Sequence, residues 1–368
     1  MNDLSKDFEG GVEESRSLDR SRIETRSNVE ASSVLVAKEI YKTYRTSRRR
    51  GTDVEALRGV SLELYEGKVV ALVGESGSGK STIARILAGQ ELPSQGEILL
   101  DGEAVNVRGS RNYRRYKAKV QMVFQDPFAS LNPIHTIAYH LSRPLSIHGE
   151  SKPKPEELEK LCEMVRLLPP SRFLTKYPHE LSGGQRQRAA IARALAVRPR
   201  VLLADEPVSM LDVSIRLEVL NLLDQLRSKF SLAMLYITHD IASARYFADE
   251  ILVMYKGVIV ERGDAEDLTQ TPMHPYTKLL IDSSPDPDDL GSNFRASSGV
   301  TIPSAKAQSV VSQGCRFAPR CPLVMDRCLI DDPTLTSISS SRRVACWATT
   351  SLGAEDSVLG EGGVRGKL

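Results

Sequence analysis

Eight consecutive residues, Gly74-Glu75-Ser76-Gly77-Ser78-Gly79-Lys80-Ser81, fit the pattern G-x-x-x-x-G-K-[ST] and suit the binding of a triphosphate. Glycines let successive backbone N–H groups turn inward as an anion nest, and a helix that begins at the loop adds the partial positive charge of its N-terminus. Lys80 can reach the β and γ phosphates, and the Ser81 hydroxyl, followed by Thr82, can ligate Mg²⁺. A chance glycine-rich turn would lack the right neighbours. Here Lys68 to Val73 reads as a strand feeding the loop, and Thr82 to Leu87 as a helix leaving it.

Val201-Leu202-Leu203-Ala204-Asp205-Glu206-Pro207 has the pattern of a buried strand that delivers two acids at its C-terminal end, where ligands of open α/β sheets gather. Asp205 would hold Mg²⁺ and Glu206 would polarise the water that attacks the γ-phosphate. Taken alone, such a pair is as often a solvated turn; its company with the phosphate loop favours the chemical reading. A third group, Leu181-Ser182-Gly183-Gly184-Gln185, precedes a helical segment over Ala189 to Val197. Ser182 and the glycine N–H groups there make a second anion cradle at a helix N-terminus. One nucleotide does not need two cradles in one chain.

With that signature the chain resembles an ATP-binding cassette protein, and the resemblance covers roughly residues 34 to 350. It implies that the signature of one subunit closes over the ATP held by another. Further matches follow in order. Tyr44 stands at the place of the aromatic that stacks on adenine, Gln125 in Val123-Phe124-Gln125-Asp126-Pro127 at the glutamine loop, Asp212 in Ser209-Met210-Leu211-Asp212 at the D-loop, and His239 in Ile237-Thr238-His239-Asp240 at the switch histidine. Met210 replaces the more usual alanine and leaves Asp212 intact. Glu206, His239, Lys80 and Gln125 are thereby expected to act on the γ-phosphate, with Gln125 also at the metal.

Within the family the likeness is to ATPase subunits of peptide importers, the dipeptide and oligopeptide type that also includes nickel and glutathione systems. Gln125 to Pro133, Tyr177-Pro178-His179-Glu180 and His274-Pro275-Tyr276-Thr277 carry it. The resemblance implies two membrane permease subunits, a second ATPase subunit that is more often related than identical, and an extracytoplasmic substrate-binding protein. It places the chain peripherally on the cytoplasmic face of the inner membrane. The rival is a cassette of the translation or DNA-repair type. A single signature, no heptad tract and a formal charge of only +2 argue against that rival and against a nucleic-acid partner.

Cys315, Cys321, Cys328 and Cys346, separated by five, six and seventeen residues, do not have the paired spacing of zinc ribbons. Some importer ATPases that resemble this one carry a [4Fe-4S] cluster on a tail quartet, and Arg316, Arg320 and Arg327 would offset its charge. Reduced core cysteines, a zinc site and an adventitious disulfide remain the alternatives. Cys162, on an apolar helical face with Leu158, Leu161 and Val165, reads as core.

The elements that must position these groups can be read from 368 residues that are 41% hydrophobic, 26% charged and 5% aromatic, the composition of a folded globular chain. Apolar runs such as Val69 to Val73 fall short of the roughly 20 residues that span a bilayer. The start, MNDLSKDFEG, has neither a basic nor an apolar signal segment, so a cytosolic location is expected. Residues 1 to 33 are polar enough to predict a disordered leader, and 351 to 368 a flexible tail. Between them the expected fold is α/β: a P-loop NTPase cassette over 34 to 265, with a RecA-like parallel sheet core. An antiparallel β subdomain opens it, with Val60, Leu62 and Leu64 alternating and Ile98 to Leu100 entering the turn Asp101-Gly102. A helical signature subdomain spans about 126 to 180. Residues 266 to 350 are expected to form a small C-terminal module that holds the cysteines.

Overall fold

The computed structural model describes residues 33–45, 53–106, 109–149, 153–283 and 314–349, all within one compact unit beginning at Ser33. The expected leader, apart from Ser33, and the expected tail lie outside the described residues. Two long antiparallel strands come first, β1 (Ser33–Tyr44) and β2 (Val54–Tyr65), with Val60, Leu62 and Leu64 all buried as their alternation predicts. Next, β3 (Val69–Val73) runs into the glycine loop and α1 (Lys80–Leu87) leaves it. β4 (Gln95–Leu100) returns to pair with β1, turns at Asp101-Gly102, and pairs with β5 (Glu103–Ala104). Together they make a four-stranded antiparallel sheet in the order β2-β1-β4-β5.

α2 (Ser110–Lys119) then leads into β6 (Val120–Val123). A run of helices follows: α3 (Pro127–Ser130), α4 (Ile137–His148), α5 (Pro155–Met164), α6 (Pro170–Leu174) and, after a 3₁₀ turn at Pro178–Glu180, α7 (Gly183–Leu195). Leu161, Cys162 and Val165 are buried against this group, so Cys162 is a core residue. The helical pattern read as far as Val197 stops at Leu195. Arg198 takes a positive φ of 51° just before Pro199, whose ring disfavours helical backbone in the residue it follows.

β7 (Val201–Asp205), α8 (Val213–Phe230), β8 (Ala233–Thr238), α9 (Ile241–Phe247), β9 (Glu250–Tyr255) and β10 (Val258–Asp264) then alternate as expected, followed by α10 (Ala265–Gln270) and α11 (Pro275–Asp282). Every residue of β3, β7 and β8 is buried, as befits parallel strands covered on both faces. Val69, Ala71 and Val73 point into one core with the helical group, whereas Val70 and Leu72 join the other with α1 and the antiparallel sheet. In register, Val73 lies opposite Thr238 and Asp205 opposite Ile237. The C-terminal ends of three strands are therefore level, and the loops that leave them share one edge.

The remaining described segment holds a 3₁₀ turn at Ala318–Arg320, α12 (Asp326–Ile330), β11 (Thr336–Ser337) and β12 (Arg343–Val344). It joins the main sheet: β12 pairs with β10, giving eight strands in the order β11-β12-β10-β9-β3-β8-β7-β6. Phe317 and Tyr276 are buried in the same core as β3. A buried ion pair, Arg342 Nη2 to Glu261 Oε1 at 2.6 Å, pins this segment to the strand it covers.

Candidate nucleotide-binding and hydrolysis site

The phosphate loop begins where β3 ends. A Cβ on Gly74 would come within 2.2 Å of the Met254 carbonyl, and Gly79 sits at φ 109°, so both positions require glycine. Lys80 is 6% exposed at the start of α1, and its Nζ donates to the carbonyls of Gly74 (2.7 Å) and Glu75 (2.9 Å). Burial pulls its ammonium below the usual range, against the opposing pull of Glu206, Asp205 and Glu75. Within the same loop the Ser78 hydroxyl is buried with no hydrogen-bond partner. An orphaned donor and a loop folded round a lysine fit an anion at this position.

Ser81 Oγ donates to Asp205 Oδ1 at 3.4 Å, which brings together the two oxygens expected at Mg²⁺. Burial pushes the Asp205 carboxyl above its usual range, against that hydrogen bond. Two hard oxygens beside a phosphate loop fit Mg²⁺, which takes one or two protein ligands and fills its octahedron with phosphate and water.

Glu206 follows at the strand end with a positive φ of 44°, a sparsely populated conformation for a side chain to occupy, and its N–H donates to the Ile237 carbonyl at 2.9 Å. That turn aims its carboxylate between two neighbours. Gln125 Nε2, beyond β6, donates to Glu206 Oε2 at 2.9 Å, and His239 Nδ1, beyond β8, lies 3.3 Å from the same oxygen. Three of the four residues expected to act on the γ-phosphate thus meet, with Lys80 within electrostatic reach. At the end of β1, Tyr44 donates its hydroxyl to Glu91 (2.7 Å), with the Lys42 ammonium 5.1 Å from its ring centre.

Ser182 N-caps α7, and with Gln185 it forms a reciprocal capping box that positions the N–H groups of Gly183 and Gly184. Among the described residues no hydrogen bond or ion pair joins 182–185 to the phosphate loop. Asp212 is exposed at the N-cap of α8, beside the exposed apolar side chains of Met210, Val213 and Leu217.

Among the tail cysteines, Cys315, Cys321 and Cys328 are free thiols, and burial pushes Cys315 up to about 11. Cys315 lies within electrostatic reach of Cys328 and Cys321, and Cys321 of Cys346 and Cys328, although burial dominates at both. No group of three or more His, Cys, Asp or Glu among the described residues is gathered round a metal-ion position. Two of the three arginines expected beside the cysteines have carboxylate partners. Arg320 pairs with Glu75 in the phosphate loop, and Arg327 stacks on Trp347 at 3.6 Å and pairs with Asp331. Sequence reasoning missed the Arg320 contact because its partner lies 245 residues away. It also missed the roles of His274, which caps α11, and Tyr276, which reaches the Glu75 N–H; the motif holding both was visible.

A parallel sheet whose edge gathers a phosphate loop, a Mg²⁺-type oxygen pair and a doubly engaged carboxylate defines a nucleotide-hydrolysing P-loop cassette. Comparison narrows the class. The family model described as ABC transporter matches residues 57–209, and that described as Oligopeptide/dipeptide transporter, C-terminal region, matches 260–328. The chain is 42% identical over 320 residues to the Di/tripeptide transport ATP-binding protein DppF of Pseudomonas aeruginosa, covering 85% of this chain and 97% of that one. It is 39% identical over 302 residues to the Oligopeptide transport ATP-binding protein AppF of Bacillus subtilis, covering 81% and 91%. Among solved structures, a dimeric post-hydrolysis state of an ATP-binding cassette bound to ADP and Pi matches with a TM-score of 0.56 and 31% identity, over 63% of this chain and 98% of that one. The chain belongs to the ABC transporter family, as an ATP-binding subunit with ATPase chemistry.

Proposed function

We propose that this chain hydrolyses MgATP to power peptide import through separate permease subunits. The carrying observation is the meeting of Gln125, Glu206 and His239 at the edge that holds Lys80, Ser81 and Asp205. Bound Mg²⁺, held by Ser81 Oγ and Asp205 Oδ1, would supply charge neutralisation on the β and γ phosphates. Lys80 would exchange its carbonyl partners for phosphate oxygens. Glu206, oriented by Gln125 and His239, would hold the attacking water and take its proton. His239, 60% exposed at its side chain, is free to turn toward the γ-phosphate.

The capped helix at Ser182 is the second cradle, and it fits the ATP of a partner cassette. Exposed Met210, Val213 and Leu217 beside Asp212 supply apolar surface for that partner. The similar solved cassette is dimeric, and peptide transport is what the named relatives do. Two permeases, a related second ATPase and an extracytoplasmic binding protein complete the assembly we infer. No described helix is long and apolar enough to cross a membrane, and we place the chain peripherally on the cytoplasmic face of the inner membrane. Cys315, Cys321, Cys328 and Cys346 would hold a [4Fe-4S] cluster, which is larger than a single ion and takes more widely spaced ligands. Iron and sulfide analysis of anaerobically purified protein tests that ligand.

Uptake of a labelled di- or tripeptide by cells lacking this chain tests the function. Wild type should restore uptake and Glu206→Gln should not. Undiminished uptake in the deletion strain would overturn the peptide assignment.

A further inference from the structure

Glu75 is the only acid in the phosphate loop, and it stands next to the position of a ligand that carries several negative charges. Left alone, its carboxylate would repel that ligand. Arg320 meets it as a fork, with Nη1 to Oε2 at 2.9 Å and Nη2 to Oε1 at 3.0 Å. The Tyr276 hydroxyl accepts from the Glu75 N–H at 2.9 Å, so the backbone of the same residue is held as well.

Both holders are anchored. Tyr276 is fully buried, its ring centre 4.6 Å from that of Tyr255 and 5.5 Å from that of Phe317. Arg320 leaves the 3₁₀ turn that follows Phe317 and lies 5.9 Å from the Tyr255 ring. The loop itself is coupled to this contact, because the Glu75 carbonyl is one of the two that Lys80 holds. A chain of direct contacts therefore runs from the tail segment through Glu75 to the phosphate-binding lysine.

We propose that Arg320, assisted by Tyr276, is a positioning residue for the phosphate loop: acting through Glu75, it cancels the loop's one negative charge and fixes its first turn, so that affinity for MgATP depends on the tail segment. The inference rests on the reading of this loop as the ATP site. Both partners are partly exposed, so the effect is that of a screened pair.

Binding of a non-hydrolysable ATP analogue with Mg²⁺, and steady-state hydrolysis, are to be measured on the full chain for wild type, Arg320→Ala, Glu75→Gln and the double variant. Arg320→Ala should bind about three- to tenfold more weakly, with KM raised and kcat nearly kept. The double variant should recover most of the lost affinity, because no carboxylate is left to compensate. Tyr276→Phe, which keeps the ring and loses the acceptor, should raise KM in the same direction. Unchanged affinity in Arg320→Ala overturns the proposal, and so does equal weakness in the double variant, which would mean that Arg320 merely holds the tail in place. A wild-type chain that fails to bind the analogue sinks the ATP-site reading itself.

Discussion

Glu206 Oε2 stands 3.3 Å from His239 Nδ1 and accepts a hydrogen bond from Gln125 Nε2, so one carboxylate oxygen ties together loops from two different strands. The arrangement makes Glu206 sensitive to both loops, and only its charged form can take a proton from water. Glu206→Gln keeps the shape and removes that capacity. Phosphate release should fall by at least about a hundredfold, while MgATP binding persists and an ATP-bound dimer accumulates on size exclusion. Turnover near the wild-type rate would show that the water is activated by another group.

Two glycines that motif reading treats alike should respond differently to one added methyl. At Gly74 the new Cβ would lie 2.2 Å from a backbone carbonyl of β9, which cannot move without shifting the sheet. At Gly184 it would lie 2.7 Å from Cγ2 of Ile215, a side-chain methyl that must shift but is not backbone. Gly74→Ala should therefore cost about 1–3 kcal/mol. Gly184→Ala should cost less, since helix propensity returns about 0.5–1 kcal/mol against the clash. Thermal unfolding of the two variants decides, and the reverse order would contradict the close packing at Gly74.

What the sequence disclosed was local. Alternation revealed β2, continuous apolar runs revealed β3, β7 and β8, and the loop motifs named Lys80, Asp205, Glu206 and His239 before any coordinate. Level strand ends follow from parallel pairing, so the meeting at Glu206 could be anticipated. The contacts made by the tail could not. β12 has two residues, too few to show a period, and Arg320 finds Glu75 only because the chain folds back across 245 positions. An arginine between two cysteines suggested a charge partner for a cluster; its fork instead meets the Glu75 carboxylate in the phosphate loop.

The pair that fastens the tail carries its own test. Glu261 is fully buried, accepts from the N–H groups of Met273 and His274 at 2.9 Å each, and faces Arg342. Arg342→Met would strand a buried carboxylate and should destabilise the fold by about 3–5 kcal/mol. Adding Glu261→Gln removes the charge and should restore part of that loss. Urea unfolding of the single and double variants checks this, and a double variant no more stable than Arg342→Met would mean that charge burial is not the cause.

His274 predicts a pH dependence that its neighbours do not share. Its Nδ1 accepts the Tyr276 N–H at 3.0 Å, which requires that nitrogen to be unprotonated, and burial pulls its pKa from 6.5 to about 4. Below pH 6.5 the unfolded chain takes up a proton that the folded chain refuses until about pH 4, so stability falls as pH drops through that window. The full loss would be on the order of 3 kcal/mol. Above pH 6.5 the contribution is constant. His274→Asn retains a capping acceptor without a titrating group. The stability difference between wild type and variant, from urea unfolding at pH 7.5, 6 and 5, should therefore shrink or reverse as the solution becomes acid. Carboxylates common to both chains cancel in that difference, and a gap that stays constant with pH would mean that His274 is solvated rather than enclosed.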